Sequence, residues 1–205
     1  MASIKLTKNE LKKQKDQLKQ FERYLPTLQL KKQQLQIVIM AAEEQLKQAK
    51  NEYQLAVNGL DDWVAVFAEN TSFLQQKQIQ NLIVPDKVIC TTDNVAGVFV
   101  PVFKELTFKP VSYQVENYPL WVDQAIVRIR DIARLHVMLL TIQKQVDLLN
   151  RELRFPSQRV NLFEKVKIPE ARENIRKIDI YLGDQQTSAV VRGKIAKKKH
   201  QGVRA

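Results

Sequence analysis

Few residues in this sequence could carry out chemistry, and they are widely separated. The chain has two histidines, His136 and His200, and a single cysteine, Cys90. Neither histidine has a second His or Cys at the spacing of a pair of metal ligands. A single cysteine also excludes a disulfide within the chain. We therefore expect no metal ion, and the sequence gives no sign of another cofactor.

Motifs for phosphate binding and acid–base catalysis are also absent. The glycines near the C-terminus are isolated and follow no predicted strand, so they do not form a phosphate-binding loop. The acidic pairs Glu43-Glu44 and Asp61-Asp62 fall on the surface of a predicted helix. The aromatic residues lie on apolar stripes, so no stacking platform for single-stranded nucleic acid is predicted. The sequence thus predicts a protein without a catalytic site.

The dominant pattern is a heptad repeat of apolar residues from Ile4 to Phe67. Nine of the ten residues met by stepping in sevens from Ile4 are apolar, against 44% for the whole chain, so chance does not explain the pattern. A repeat of seven predicts a left-handed supercoiled helix that needs a partner along its length. Ser3 is the predicted N-cap. Pro26 leaves the repeat in register, so we expect a kink, with two separate helices as the alternative.

A second helix with the same repeat is predicted to start near Pro119. Its stripe continues to Phe163, slips in phase near Pro169 and ends at Leu182. A slip of this kind locally changes the winding of a supercoil. The residues after Gly183 are polar and basic, which predicts either a frayed helix or a disordered tail.

The segment between the helices predicts a β-hairpin. Lys87–Thr91 and Gly97–Phe103 are rich in Val, Ile and Phe, and Thr92–Ala96 contains turn residues. Leu106–Val115 could add a further extended segment. The predicted fold is therefore mainly α, a long antiparallel two-helix coiled coil with a short β-hairpin insertion. We place the hairpin at the turn between the helices, where it adds nothing to their seam. The predicted regions are a first helix (1–80), a hairpin connector (81–118), a second helix (119–184) and a basic tail (185–205).

The net charge of +11 is concentrated at the two ends of the chain. Residues 1–35 and 185–205 each carry +6, and the residues between them sum to −1. Such ends could meet nucleic acid, anionic lipid or an acidic protein surface, or could simply be solvated. The longest apolar runs, such as Ile37–Ala42, are too short to span a bilayer.

Three stretches carry a resemblance to a known family. Residues 158–164, followed by Ile168-Pro169, resemble the signature of the D subunit of the V-type and archaeal A-type ATPases. Residues 94–101 are similar to its mid-chain pattern, and Thr7-Lys8 and Leu28–Leu35 to its first helix. Two features depart from the family pattern, Pro26 and the segment Gly183–Gln186.

This resemblance implies a non-catalytic central rotor shaft. Such a shaft sits inside a hexamer of A and B subunits and transmits torque between ATP hydrolysis or synthesis and a membrane ring that moves protons or sodium ions. The resemblance also implies a bound F subunit in the stalk, a connection to the membrane ring, and a cytoplasmic location on the membrane periphery in the soluble V1/A1 sector. It implies no nucleic-acid partner and no direct membrane insertion.

Ten residues are predicted to bind partner subunits. Four apolar residues widen the second stripe near the hairpin end and are assigned to the F subunit, although they could instead pack against the hairpin. Two polar residues belong to the signature, and four lysines of the basic tail are assigned to the A/B hexamer. The ten are Val122, Ile126, Val127, Val137, Arg159, Asn161, Lys194, Lys197, Lys198 and Lys199.

Two other classes of protein remain open from the sequence. A structural coiled-coil adaptor explains the heptads but neither the hairpin insertion nor the signature residues. A basic nucleic-acid-binding protein is suggested by charge alone, and it predicts an affinity for DNA that falls steeply with salt.

Overall fold

The computed structural model describes residues 4–61, 82–110 and 121–202. The chain forms two compact units, a middle unit of residues 33–153 and a terminal unit that joins residues 1–32 to residues 154–205. The described elements, in chain order, are α1 (Lys8–Asn58), β1 (Pro85–Val95), β2 (Val98–Phe108), α2 (Val122–Leu162), a π-turn (Phe163–Lys167) and α3 (Ile168–Gly202). The predicted class, mainly helical with a small hairpin in mid-chain, is confirmed. The hand of the supercoil stays a prediction.

Helix α1 begins at a threonine cap. The Thr7 hydroxyl accepts a hydrogen bond from the Glu10 backbone N–H at 3.3 Å, and the Thr7 carbonyl accepts one from the Leu11 N–H at 3.0 Å. Thr7 and Glu10 have the spacing of a capping box, which is why the helix starts here. The prediction of a cap at Ser3 is therefore wrong. The helix continues through Pro26, so α1 is one helix and not two.

The core of the middle unit combines both helices with the hairpin. Leu35, Ile39 and Ala42 of α1 pack in one buried cluster with residues of α2 and β2. The residues from α2 and β2 are Val146, Leu149, Val98 and Val100. Each buried aliphatic side chain of this kind contributes roughly 1.5–3 kcal/mol before conformational entropy is subtracted. The unit therefore depends on three elements and not on a helix pair alone.

The hairpin turns at two residues with positive φ. Ala96 has φ 52° and Gly97 has φ 81°, and Val95 pairs directly with Val98. Positive φ at both central positions is the geometry that matches the twist of paired strands, and glycine adopts it without strain. The turn lies later than the predicted Thr92–Ala96, and both strands are longer than predicted. Leu106 belongs to β2 and not to a separate segment, while residues 111–115 lie outside the described residues.

In the terminal unit, α1 runs antiparallel to the π-turn and α3. Lys15 Nζ lies 3.7 Å from Asp179 Oδ2, and Arg172 donates a hydrogen bond to Glu22 at 2.9 Å. The ring centroids of Phe21 and Phe163 are 5.1 Å apart. The buried apolar residues of this unit lie on α2 and α3, namely Val160, Ile168, Ala171 and Ile178.

The π-turn explains the phase slip in the second stripe. Val160 is 3% exposed and the next buried residue is Ile168 at 8%, whereas a heptad step from Val160 would fall on Lys167. The Ile168 N–H bonds the Phe163 carbonyl, so one extra residue is accommodated. Pro26 and Pro156 also lie inside helices, and both helices remain α-helical at those positions. The presence of Pro169 by itself therefore does not explain the π-turn. The extra residue brings Ile168, instead of Lys167, into the seam.

Helix α3 extends well beyond the predicted end of the periodic segment. It runs through Gly183 to Gly202, and the side chains from 183 to 200 are exposed. The expectation of a frayed helix or disordered tail is thus replaced by continuous helix over the described residues. No helix in the described part of the chain is long and apolar enough to cross a membrane.

Deleting Lys165 together with Pro169→Ala should convert the π-turn into α-helix without loss of stability. The deletion removes the extra residue, keeps Ile168, Ala171 and Ile178 in the seam, and removes only an exposed lysine. The matched control, deletion of Arg176 with Pro169→Ala, shifts the fully buried Ile178 out of phase. Thermal unfolding followed by circular dichroism should give a melting temperature at least about 5 °C lower for the control. Equal melting temperatures for the two deletions would contradict this account of the turn.

Candidate partner-binding surfaces

Strand β2 lies along α2 and is held to it at both ends. Near the base of the hairpin, the guanidinium carbons of Arg130 and Arg134 lie 5.3 and 5.5 Å from the centre of the Phe108 ring. Near the tip, Gln145 Nε2 donates a hydrogen bond to the Pro101 carbonyl at 2.6 Å. Cation–π contacts of this kind contribute about 0.5–1 kcal/mol at exposed sites. The later residue of β2, Phe108, meets the earlier residues of α2, and the earlier Pro101 meets the later Gln145. Strand β2 is therefore antiparallel to α2.

The hairpin is therefore part of the helix core, and the expectation that it adds nothing to the seam is wrong. Val98 is 9% exposed and Val100 is 2% exposed, and both pack against α1 and α2. Alternate residues of a strand point to one face, which brings both valines to the helices. Sequence reasoning missed Arg130, Arg134 and Gln145 as hairpin contacts. The only available signal was a pair of arginines four residues apart on a predicted helix.

The other side of the hairpin is exposed and partly apolar. Phe99 is 70% exposed although it lies between two buried valines. Cys90 is also exposed and makes no disulfide. Phe99 pairs with Asn94, and Cys90 lies on the same side of β1 as Asn94, so we call Phe99 and Cys90 the outer hairpin face. It offers an apolar surface to another chain, whereas the inner side is already occupied.

The four residues assigned to the F subunit separate into two groups. Val122 and Ile126 are 2% and 7% exposed and pack with Leu82, so the expectation that they are exposed is wrong. Residues four apart lie on one helix face, and here that face meets the segment preceding β1. Val127, one residue further round the helix, is 53% exposed, and Val137 is half-buried. Of these four residues, only Val127 is exposed.

The signature string is divided between the seam and the surface. Val160 is buried and Phe163 meets Phe21, while Gln29 donates a hydrogen bond to Glu164 at 2.7 Å. Arg159 and Asn161, which flank Val160, are both exposed. The string thus supplies contacts to α1 and also presents two polar side chains outward. Their role in partner binding stays a prediction.

The exposed part of α3 combines basic and apolar side chains. Lys194, Lys197, Lys198 and Lys199 are all exposed. Three large aliphatic residues on the same segment are about half exposed, namely Val190, Val191 and Ile195. A helix with this much exposed apolar surface is typical of a segment that another chain covers.

Of the residues considered for chemistry, His136 makes a ring contact, and Cys90 and His200 are exposed. The His136 ring lies 5.2 Å from the Tyr53 ring, centroid to centroid, between α2 and α1. Over residues 4–61, 82–110 and 121–202, no group of three or more His, Cys, Asp or Glu side chains is placed to hold a metal ion.

Together, the paired helices and the exposed apolar and basic faces are typical of a coiled-coil protein with surfaces available to other chains. The family model for the D subunit of ATP synthase matches residues 10–198, and the chain belongs to this family. It is 48% identical to the V-type ATP synthase D subunit of Borreliella burgdorferi over 197 residues, covering 96% of this chain and 95% of that protein. The proteins of the same name from Chlamydia pneumoniae and Chlamydia caviae are 34% and 36% identical, covering 96% and 98% of this chain and 92% and 95% of theirs.

Truncating the inner side of the hairpin should destabilise the protein, and truncating the outer side should not. Val100→Ala removes buried methyl groups from the shared core and should lower the free energy of unfolding by about 1–3 kcal/mol. Its neighbour Phe99→Ala removes a side chain that is 70% exposed and should change it by less than about 0.5 kcal/mol. Urea unfolding followed by circular dichroism measures both. If Val100→Ala has no larger effect than Phe99→Ala, the hairpin does not support the helices.

Proposed function

We propose that this protein is the non-catalytic central rotor shaft of a V-type ATPase or ATP synthase. It transmits torque between an A/B hexamer that hydrolyses or makes ATP and a membrane ring that moves protons or sodium ions. The observation that carries the proposal is membership of the D-subunit family over nearly the whole chain. A structural adaptor fits the helices equally well but gives no reason for that membership.

The pairing of the helices supports a torque-bearing role. Two helices that are joined by buried apolar side chains and by cross-helix ion pairs resist unwinding better than a single helix. In the terminal unit, the ion pairs Lys15–Asp179 and Glu22–Arg172 link α1 to α3. In the middle unit, the hairpin adds a third element to the core. The π-turn interrupts the regular α-helix in the terminal unit, and a rotor needs such asymmetry to hold equivalent catalytic sites in different states.

The exposed segment of α3 is the part that enters the hexamer in this proposal. Its lysines repel one another and its aliphatic residues are exposed, so both need a surrounding surface of other chains. An acidic or polar collar formed by the A and B subunits would satisfy the lysines. The end that carries the hairpin then faces the membrane ring.

The F subunit is the proposed partner of the exposed face of α2 around Val127, with Val137 at its edge. The outer hairpin face is a second candidate for contact with a neighbouring protein of the stalk or for modulating hydrolysis. Arg159 and Asn161 are proposed as polar contacts to the same set of partners. In this assembly the protein lies on the cytoplasmic periphery of the membrane, in the V1/A1 sector, and binds no nucleic acid.

Rotation of the chain inside the A/B hexamer is the direct test of the proposed function. Cys90 is exposed and is the only cysteine in the chain, so a bead can be attached through it with a maleimide linker. With the hexamer fixed to a surface, the bead should turn when ATP is added and stay still with ADP. Cys90→Ser controls for non-specific attachment. Assembly with the hexamer and ATP hydrolysis without bead rotation would overturn the shaft assignment.

Neutralising the four lysines of α3 should weaken association with the hexamer at low salt. The variant replaces Lys194, Lys197, Lys198 and Lys199 with Gln. It should also raise the melting temperature of the isolated chain, since like charges along one exposed helix repel each other. A matched control replaces four exposed lysines of α1 in the middle and terminal units, Lys12, Lys31, Lys47 and Lys50, and should leave association less affected. Association that is unchanged and insensitive to salt would mean that the lysines are only solvated.

A further inference from the structure

We propose that two crossed ion pairs and a polar layer fix the register of α1 against α3 in the terminal unit. This inference concerns the chain alone and goes beyond the proposed function. On α1, the two charged residues are Lys15 and Glu22, seven residues apart. On α3, they are Arg172 and Asp179, also seven residues apart. Lys15 pairs with Asp179 at 3.7 Å and Glu22 with Arg172 at 2.9 Å.

The order of the charges along each helix makes these pairs selective for one register. A displacement of α1 by one heptad in one direction brings Glu22 opposite Asp179. The same displacement in the other direction brings Lys15 opposite Arg172. Both new pairs are like-charged, and flanking charges of this kind set alignment in coiled coils. Exposed ion pairs stabilise a fold only slightly, so their main effect here is to disfavour the displaced registers.

Charges alone do not exclude the second displacement, because Glu22 would then meet Lys165. The polar layer excludes it. Gln14 and Gln17 of α1 line a cavity of about 290 Å³ together with Asn174 of α3. Asn174 is 9% exposed and is one of two buried polar residues among those the structure describes. Displacement by one heptad would move Gln14, whose amide bonds Glu10 within α1, next to Ile168, so a polar side chain would replace the apolar contacts of that buried residue.

The opposite displacement is excluded by the same layer. Phe21 already lines the edge of the same cavity, and this displacement would bring Asn174 directly opposite its ring, which cannot hydrogen-bond the amide as water or another amide does. A buried Asn in a coiled coil specifies register at a cost in stability. The weak burial of the α1 seam explains why polar contacts are needed to fix the register. In this unit the apolar stripe of α1, from Leu11 to Leu28, is only half-buried, so apolar contacts alone discriminate weakly between registers.

A cysteine pair reports the native register. Leu6 and Leu182 line one groove, so Leu6→Cys with Leu182→Cys, in a Cys90→Ser background, should cross-link. Leu6→Cys with Ile175→Cys reports a displacement of one heptad. Both reporters use the full chain, and mild oxidation with a non-reducing gel gives the rate and the product.

The decisive variant exchanges charges along α1 without changing the net charge. Lys15→Glu with Glu22→Lys makes both cross-helix pairs like-charged and should slow native cross-linking about fivefold. Adding Arg172→Glu and Asp179→Lys restores both pairs and should restore the rate. The matched control, Glu43→Lys with Lys50→Glu, exchanges exposed charges seven residues apart in the middle unit and should have no effect. If the variant with all four substitutions still cross-links slowly, the effect is local to α1 and the ion pairs do not set the register.

The polar layer is tested separately. Gln14→Leu with Asn174→Leu replaces the layer with apolar side chains and should raise the melting temperature by about 2–4 °C. It should also allow the displaced cross-link between positions 6 and 175, which the native layer suppresses. A higher melting temperature with only the native cross-link would overturn the role of the layer in register. A lower melting temperature would overturn it too, because the layer would then stabilise the fold and not merely align it.

Discussion

The phase of the apolar seam is the constraint on which this structure depends. A helix can bury only one stripe, and α1 keeps that stripe at a strict interval of seven residues. Its partner in the chain does not keep the interval, since its apolar residues move by one position between Val160 and Ile168. The π-turn takes up this single residue, so Ile168, Ala171 and Ile178 are buried while Lys177 is exposed. Removing water from a lysine head group is more costly than one irregular turn, which explains why the turn persists.

The same constraint governs the hairpin. A two-stranded hairpin is marginal on its own, and this one gains stability by placing Val98 and Val100 into the seam of α1 and α2. Ala42 belongs to the same cluster, and its small side chain leaves room for the strand. One side of the hairpin is therefore buried against the helices, and only the other side is available to another protein. Phe99 is exposed because its two neighbours are not.

Apolar burial and polar specificity are distributed differently in the two units. The middle unit buries Leu35, Ile39 and Leu149 and relies on packing. The terminal unit leaves the α1 stripe half-buried and places Asn174 in the seam, with ion pairs on either side. Packing stabilises strongly but discriminates poorly between displaced registers, whereas charges and amides stabilise weakly and discriminate well. The two units therefore obtain stability and alignment from different kinds of contact.

The sequence by itself determined the helices, their period, the presence of a hairpin and the family. The heptads and the signature residues are local patterns, and a local pattern can be read without knowing what it contacts. The sequence also located the phase slip near Pro169, but it did not show that a π-turn produces the slip. Only the tertiary structure decided that the hairpin packs into the helix core, that Val122 and Ile126 are buried while Val127 is not, and that α3 continues beyond Gly183. Neighbouring residues of one helix have nearly the same local signal. Their burial depends on which distant segment, here Leu82 or β2, lies against them, and that is set by long-range packing.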